Sequence, residues 1–155
     1  MKRGVILLLF AVLVSFAANA QGIHGSRHAI GVRGGWGAEI SYQRYIAPEN
    51  RIEGTIGVNR YGFSLEGIYQ WMNDIPADAQ GELKWYTGTG FGFGSWSNDD
   101  FKKGFSCGIL GQVGIEYAFH NAPLALSFDY RPGLYFAPEF NFDWSGFAVG
   151  LRFYF

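Results

Sequence analysis

From residue 28 onward the chain alternates apolar residues with polar or small ones at a period of two. Residues i and i+2 of a strand share a face, so this pattern sorts each segment into two sets. The segment 105–119 is the clearest. Phe105, Cys107, Ile109, Val113, Ile115, Tyr117 and Phe119 fall on one face, with Gly111 as the gap, and Ser106, Gly108, Leu110, Gln112, Gly114, Glu116 and Ala118 on the other. The last segment repeats the form, with Phe147, Val149, Leu151, Phe153 and Phe155 set against Gly146, Ala148, Gly150, Arg152 and Tyr154.

The alternation predicts eight strands, at about 27–34, 38–46, 51–58, 63–72, 82–94, 105–119, 124–136 and 144–155. Gly, Pro, Asn and Asp cluster between them, as turn chemistry requires. Residues 47–50, 73–81 and 120–123 are expected as periplasmic turns, and 35–37, 59–62, 95–104 and 137–143 as outer loops. Parity runs unbroken from Ile30 to Tyr42, so 27–46 reads either as one long strand or as two joined by a three-residue turn. A closed bacterial barrel needs an even strand count, which selects two here and eight in all. The expected fold class is all-β: an eight-stranded, antiparallel, up-and-down transmembrane β-barrel.

Which set faces outward decides the surroundings. The apolar set carries large side chains throughout, among them Ile30, Val32, Ile40, Tyr42, Ile56, Phe63, Leu65, Trp71, Trp85, Phe91, Phe93, Leu126, Phe128 and Tyr130. The opposite set carries Arg33, Glu39, Glu53, Glu66, Lys84, Glu116, Asp129, Arg131 and Arg152, padded with glycines. A small lumen has no room for so many rings, but long charged side chains fit in it beside glycines. Facing lipid, these nine charges would cost on the order of ten to thirty kcal/mol, against a total stability of about 5–15 kcal/mol. In water, an outward apolar belt would far exceed the few hundred Å² of contiguous apolar surface that soluble monomers tolerate. Apolar outside and charged inside, in lipid, meets both limits.

The lumen charges are expected to pair. A turn at 35–37 sets Arg33 opposite Glu39, and a loop at 59–62 sets Thr55 opposite Glu66. Asp129 and Arg131 lie on one face about 7 Å apart along the strand. Unpaired buried ions are costly, so a salt-bridge plug is the first reading and a selective ion path the second.

Composition and the N-terminus bear on the address. Lys2 and Arg3 precede the apolar run Val5–Val14, and Ala18-Asn19-Ala20 supplies a small-residue cleavage site, so residues 1–20 read as a cleaved secretory signal and 21–155 as one barrel domain. No later segment is apolar enough for a helical span. Losing Lys2 and Arg3 leaves ten basic against thirteen acidic side chains, a balance that gives no reason to invoke nucleic acid. Cys107 is the one cysteine, so no internal disulfide is expected.

The mature chain resembles the small OmpA/OmpX-like outer-membrane β-barrel proteins of Gram-negative bacteria. Its ending, Phe147-Ala-Val-Gly-Leu-Arg-Phe-Tyr-Phe155, is similar to the C-terminal signal by which such barrels are recognised for insertion, with Phe147, Val149, Leu151, Phe153 and Phe155 as its apolar positions. The runs Gly114-Ile-Glu-Tyr117 and Asp129-Tyr-Arg-Pro132 also resemble uncharacterised members. The resemblance implies integral residence in the outer membrane as a monomer, with membrane lipid, lipopolysaccharide and the insertion machinery as partners. It supplies no activity, and the outer loops are shorter than those of adhesive members.

Candidate chemistry is sparse, and neither a catalytic residue, a cofactor nor a metal is expected. The glycines at 88, 90, 92 and 94 lack the spacing, the following helix and the Lys-Ser/Thr ending of a phosphate loop. As lumen glycines they are expected to leave space for neighbouring Tyr or Arg side chains. A lipid A-modifying enzyme needs a His beside a Ser near the outer leaflet, whereas His24, His28 and His120 are expected at the periplasmic end and Ser95 and Ser97 at the outer one. Adjacent Asp99 and Asp100 do not make a calcium loop. A solvated polar tip is the first reading of the 95–104 loop, and contact of Lys102 and Lys103 with anionic lipopolysaccharide headgroups is a weaker one that rests on charge alone.

Overall fold

The structure, a computed structural model, describes residues 27–35, 37–59, 62–76, 81–97, 103–137 and 139–155. The expected signal segment 1–20, His24, Asp99, Asp100 and Lys102 lie outside these residues, and of Lys103 only the main chain is described. Ten strand segments follow in order: β1 (His28–Gly34), β2 (Gly37–Ala47), β3 (Asn50–Asn59), β4 (Gly62–Ile75), β5 (Gly81–Ser97), β6 (Lys103–Phe119), β7 (Leu124–Tyr130), β8 (Gly133–Ala137), β9 (Asn141–Asp143) and β10 (Phe147–Tyr154).

They make a closed, antiparallel barrel of eight strands. Each segment from β1 to β6 pairs with the next, and β1 closes on β10, from Ala29↔Tyr154 to Gly34↔Val149. The count falls from ten to eight because two strands are each interrupted once. β7 and β8 lie on β6 in one register on either side of Arg131 and Pro132, as far as Gly108↔Tyr135, beyond which the register shifts to Cys107↔Ala137. Pro132 has no N–H to give the ladder, but its carbonyl still accepts from the Gly111 N–H at 2.9 Å. Segment 27–46 is two strands, joined by a turn that sets Gly34 opposite Ala38.

The second interruption corrects the expected loop at 137–143. β9 continues the last strand beyond residue 144 and forms a hairpin with β8, Tyr135 opposite Asn141 and Gly133 opposite Asp143. Below it, the Arg131 N–H donates to the Gly146 carbonyl at 2.8 Å. Trp144 and Ser145 therefore stand against Pro132 alone, which is a β-bulge. The extra residue shifts the faces by one, so the odd-numbered residues of β9 share the inner side with the even-numbered residues of β10. Asp143 thus lines the lumen while Phe142 and Trp144 are exposed. A single unbroken parity had no means of giving this result. The hairpins β4–β5 and β5–β6 are also longer than expected, reaching Ile75, Gly81, Ser97 and Lys103.

Burial follows the alternation. The large apolar residues of the outward set are exposed around the wall, from Ile30 and Val32 on β1 to Val149 and Leu151 on β10. Polar and charged residues outnumber hydrophobic ones among the buried side chains: Arg33, Ser41, Gln43, Arg51, Glu53, Thr55, Gln70, Gln112, Glu116, Ser127, Asp129, Arg131 and Arg152. At one end, called here the terminal end because His28 and Phe155 meet there, Ala29, Ala118, Ala125 and Tyr154 form a small apolar cluster backed by Tyr45. Alanines on three strands leave the width that two tyrosine rings fill. The other end, the mouth, carries the Gly35–Gly37 turn and the β5–β6 and β8–β9 hairpins.

Candidate functional site

Among the described residues, buried charge is concentrated in the lumen, where its groups lie in layers. Next to the tyrosine–alanine plug, Arg51 on β3 donates from Nη1 to both oxygens of Glu116 on β6, at 2.9 and 3.1 Å. Its Nε donates to Gln70 Oε1 at 2.6 Å, and the Tyr154 hydroxyl donates to Glu116 at 2.6 Å. The Arg51 guanidinium also lies 5.5 Å from the Tyr45 ring centre and 5.3 Å from that of Tyr86. One layer further, Arg152 bridges Glu53 at 3.2 Å and Glu116 at 3.3 Å and is hydrogen-bonded to Ser127. Gln70 carries the link onward, donating to Glu53 at 2.5 Å and to Gln112 at 2.7 Å.

Nearer the mouth, Arg33 is ion-paired to both Glu39 and Asp129. The Tyr86 hydroxyl donates to the same Asp129 carboxylate at 3.1 Å. Arg131 is paired to Glu66 and, at 3.2 Å, to Glu53. Four guanidiniums and five carboxylates therefore share one connected system. Both expected cross-strand neighbours occur, Arg33↔Glu39 and Thr55↔Glu66. Buried ions removed from water need this kind of multiple pairing and hydrogen bonding.

Eight of the nine residues picked from the sequence meet in this network: Arg33, Glu39, Glu53, Glu66, Glu116, Asp129, Arg131 and Arg152. Lys84 does not. It sits toward the terminal end, bridging Glu82 at 3.3 Å and the exposed Asp74 at 3.4 Å. Position along the barrel, which parity does not give, separates it from the rest. Arg51 was missed although it is fully buried. Its parity matches Glu53, but as the first residue after a turn it passes for a turn charge.

Glycines shape the space. A Cβ at Gly114 would come within 2.6 Å of the Tyr86 ring and of Asp129, one at Gly31 within 2.7 Å of Arg152, and one at Gly57 within 2.8 Å of Glu39. The glycine run on β5 differs from expectation. The neighbours of Gly88 are Ile68 and Gln70, and that of Gly92 is Leu110, rather than Tyr or Arg. Ile68 and Leu110 are both buried, so the lumen holds an apolar band beside its charges.

The residues of the C-terminal pattern divide. Phe147, Val149 and Leu151 are exposed on the outer wall, and Phe153 is buried. Phe155 stacks on His28 at 5.9 Å and donates its main-chain N–H to the His28 carbonyl at 3.0 Å. His28 and His120 both lie at the terminal end. Ser95 stands near the far end of β5, about 45 Å along the strand from Gly81, which pairs with Phe119 beside His120.

No protein-family model, curated protein or solved structure matches this chain.

Proposed function

We propose that the chain is a non-enzymatic, integral outer-membrane β-barrel protein of a Gram-negative bacterium, of the small OmpA/OmpX-like kind, with a structural or surface-contact role. The observation that carries this reading is the joint arrangement of large apolar side chains around the whole outer wall and paired charges within it. A wall of that kind suits hydrocarbon and is ill-suited to water. Its closure leaves no unpaired edge along the spanning part of the sheet, as hydrocarbon requires. The same reading calls for export by the leader at 1–20, insertion guided by the last strand, monomeric residence, and contact with membrane lipid, lipopolysaccharide and the insertion machinery.

A closed lumen is favoured over a narrow pore. An eight-stranded interior is just wide enough for side chains to fill, and here it is occupied by the ion network, by Ile68 and Leu110, and by the tyrosine–alanine plug. The distance between the histidines and Ser95 speaks against acyl transfer. The deciding experiment is cell fractionation with a gel-shift assay: the protein should travel with outer membranes and run at a different apparent mass when unheated. Recovery as a soluble periplasmic protein would overturn the proposal.

A further inference from the structure

The part of the lumen wall formed by β10, β1 and β2 carries polar groups that the ion network leaves out. Ser41 and Gln43 face inward from β2 and are 0% and 1% exposed. Among the described residues, the Ser41 hydroxyl and both ends of the Gln43 amide have no partner. Arg152, equally buried, leaves its Nε–H unpartnered. A buried polar group without a partner is costly, so each one in a folded protein calls for an explanation.

Strand register brings these groups together. Ser41 stands opposite Gly31 on β1, and Gly31 stands opposite Arg152 on β10. Gly31 has no side chain, so Arg152 lies across it, with its Cγ 2.7 Å from where a Cβ would be. From there the side chain reaches β3, where Nη2 donates to Glu53 at 3.2 Å. β2 runs between β1 and β3, so the arginine crosses the lumen side of Ser41 and Gln43. Gln43 is itself the cross-strand neighbour of Glu53. In the planar guanidinium the Nε–H and Nη2, which is trans to Cδ, share one edge. Since Nη2 is directed at Glu53, the Nε–H is directed to the same side, toward the wall that carries Gln43.

The chemistry of the unmatched set selects what can satisfy it. The Arg152 Nε–H and the Gln43 N–H groups need an acceptor, the Gln43 carbonyl needs a donor, and the Ser41 hydroxyl serves either way. A halide only accepts and an ammonium ion only donates. Nor is there charge for an ion to match, because Arg152 already lies between Glu53 and Glu116 at 3.2 and 3.3 Å. Water donates and accepts, is neutral, and makes about three hydrogen bonds to such groups when buried. We propose that Ser41, Gln43 and Arg152 form a binding site for internal water. The water accepts from the Arg152 Nε–H and the Gln43 amide, and donates to the Gln43 carbonyl and the Ser41 hydroxyl. The site rests on the lumen alone and stands whether or not the barrel lies in a membrane.

The test is NMR of the isotope-labelled protein folded in detergent micelles. Cross-peaks from the water line should appear at the Gln43 side-chain amide and at the Arg152 Nε–H. They should have opposite signs in NOE and ROE spectra, which marks resident water, whereas proton exchange gives the same sign in both. Gln43→Met keeps the length of the side chain while removing both ends of the amide, and the Arg152 cross-peak should then be lost. Absence of water cross-peaks at both groups in the wild-type protein would overturn the proposal. So would cross-peaks of one sign in the two spectra, or an Arg152 cross-peak unchanged in Gln43→Met. The wild-type spectra decide the matter by themselves if that variant does not fold.

Discussion

Arg33 on the first strand and Asp129 on the seventh, 96 positions apart, are ion-paired inside the lumen over the intervening last strand. The same guanidinium holds Glu39, its cross-strand neighbour on β2. One arginine thus joins a local hairpin contact to a long-range one, and the other three lumen arginines also serve more than one strand. The network behaves as a unit, and this is what its variants should show.

Arg131→Ala strips Glu66 and Glu53 of a partner while leaving both acids inside. Breaking a buried pair from one side costs about 3–5 kcal/mol, less where water enters. Urea unfolding of the folded barrel should register that loss. In planar bilayers the wild-type protein should conduct little or nothing. Large, steady wild-type conductance together with an unchanged unfolding midpoint for the variant would mean a wet channel in place of a plug.

Arg51 and Lys84 make a matched pair of probes. Arg51→Ala removes a fully buried cation from Glu116 and should destabilise by about 3–5 kcal/mol. The Lys84 pairs reach solvent, so Lys84→Ala should cost under about 1 kcal/mol. Similar unfolding midpoints for the two variants would contradict the separation of Lys84 from the network.

Packing around the glycines gives a contrast that does not involve charge. Gly114→Ala drives a methyl group into Tyr86 and Asp129 and should cost about 1–3 kcal/mol by overpacking. Gly54, outward on β3, has nothing within 4 Å of the equivalent position. Gly54→Ala should leave the unfolding curve close to wild type, and a loss equal to that of Gly114→Ala would show that the effect is one of strand propensity.

The ending can be tested in cells. Replacing Phe155 with Ser should reduce the amount of barrel inserted while the leader is still removed at the usual rate. Pulse-labelling with membrane fractionation separates the two steps, and normal insertion of the variant would make the ending ordinary strand sequence.

The alternation made most of this fold legible. It assigned inside and outside correctly for Ile30, Phe93, Leu126, Glu53, Glu116 and Arg152, because in a closed wall each strand has one dry face and one opposite face for its whole length. It failed where the wall breaks its own period. The bulge at Trp144 and Ser145 reverses parity for Asn141–Asp143, and the result looked like a loop. Pro132 hid nothing, since the register of β7 and β8 on β6 is shared. Within the lumen, parity supplied the membership of the charged set but not the height of each charge along the axis. Lys84 was accordingly grouped too closely with the others, and Arg51, beside a turn, was left out.

The pairing over the β1–β10 seam has a consequence for assembly. Until β1 meets β10, Arg33 has no Asp129 and Arg152 has no Glu53. An unfinished, open sheet would hold only the pairs between nearby strands, such as Arg33–Glu39 and Arg152–Glu116, on the face that is due to become the interior. Zipping the seam completes the others together. Closure should therefore add stability to strands on both sides of the seam in one step.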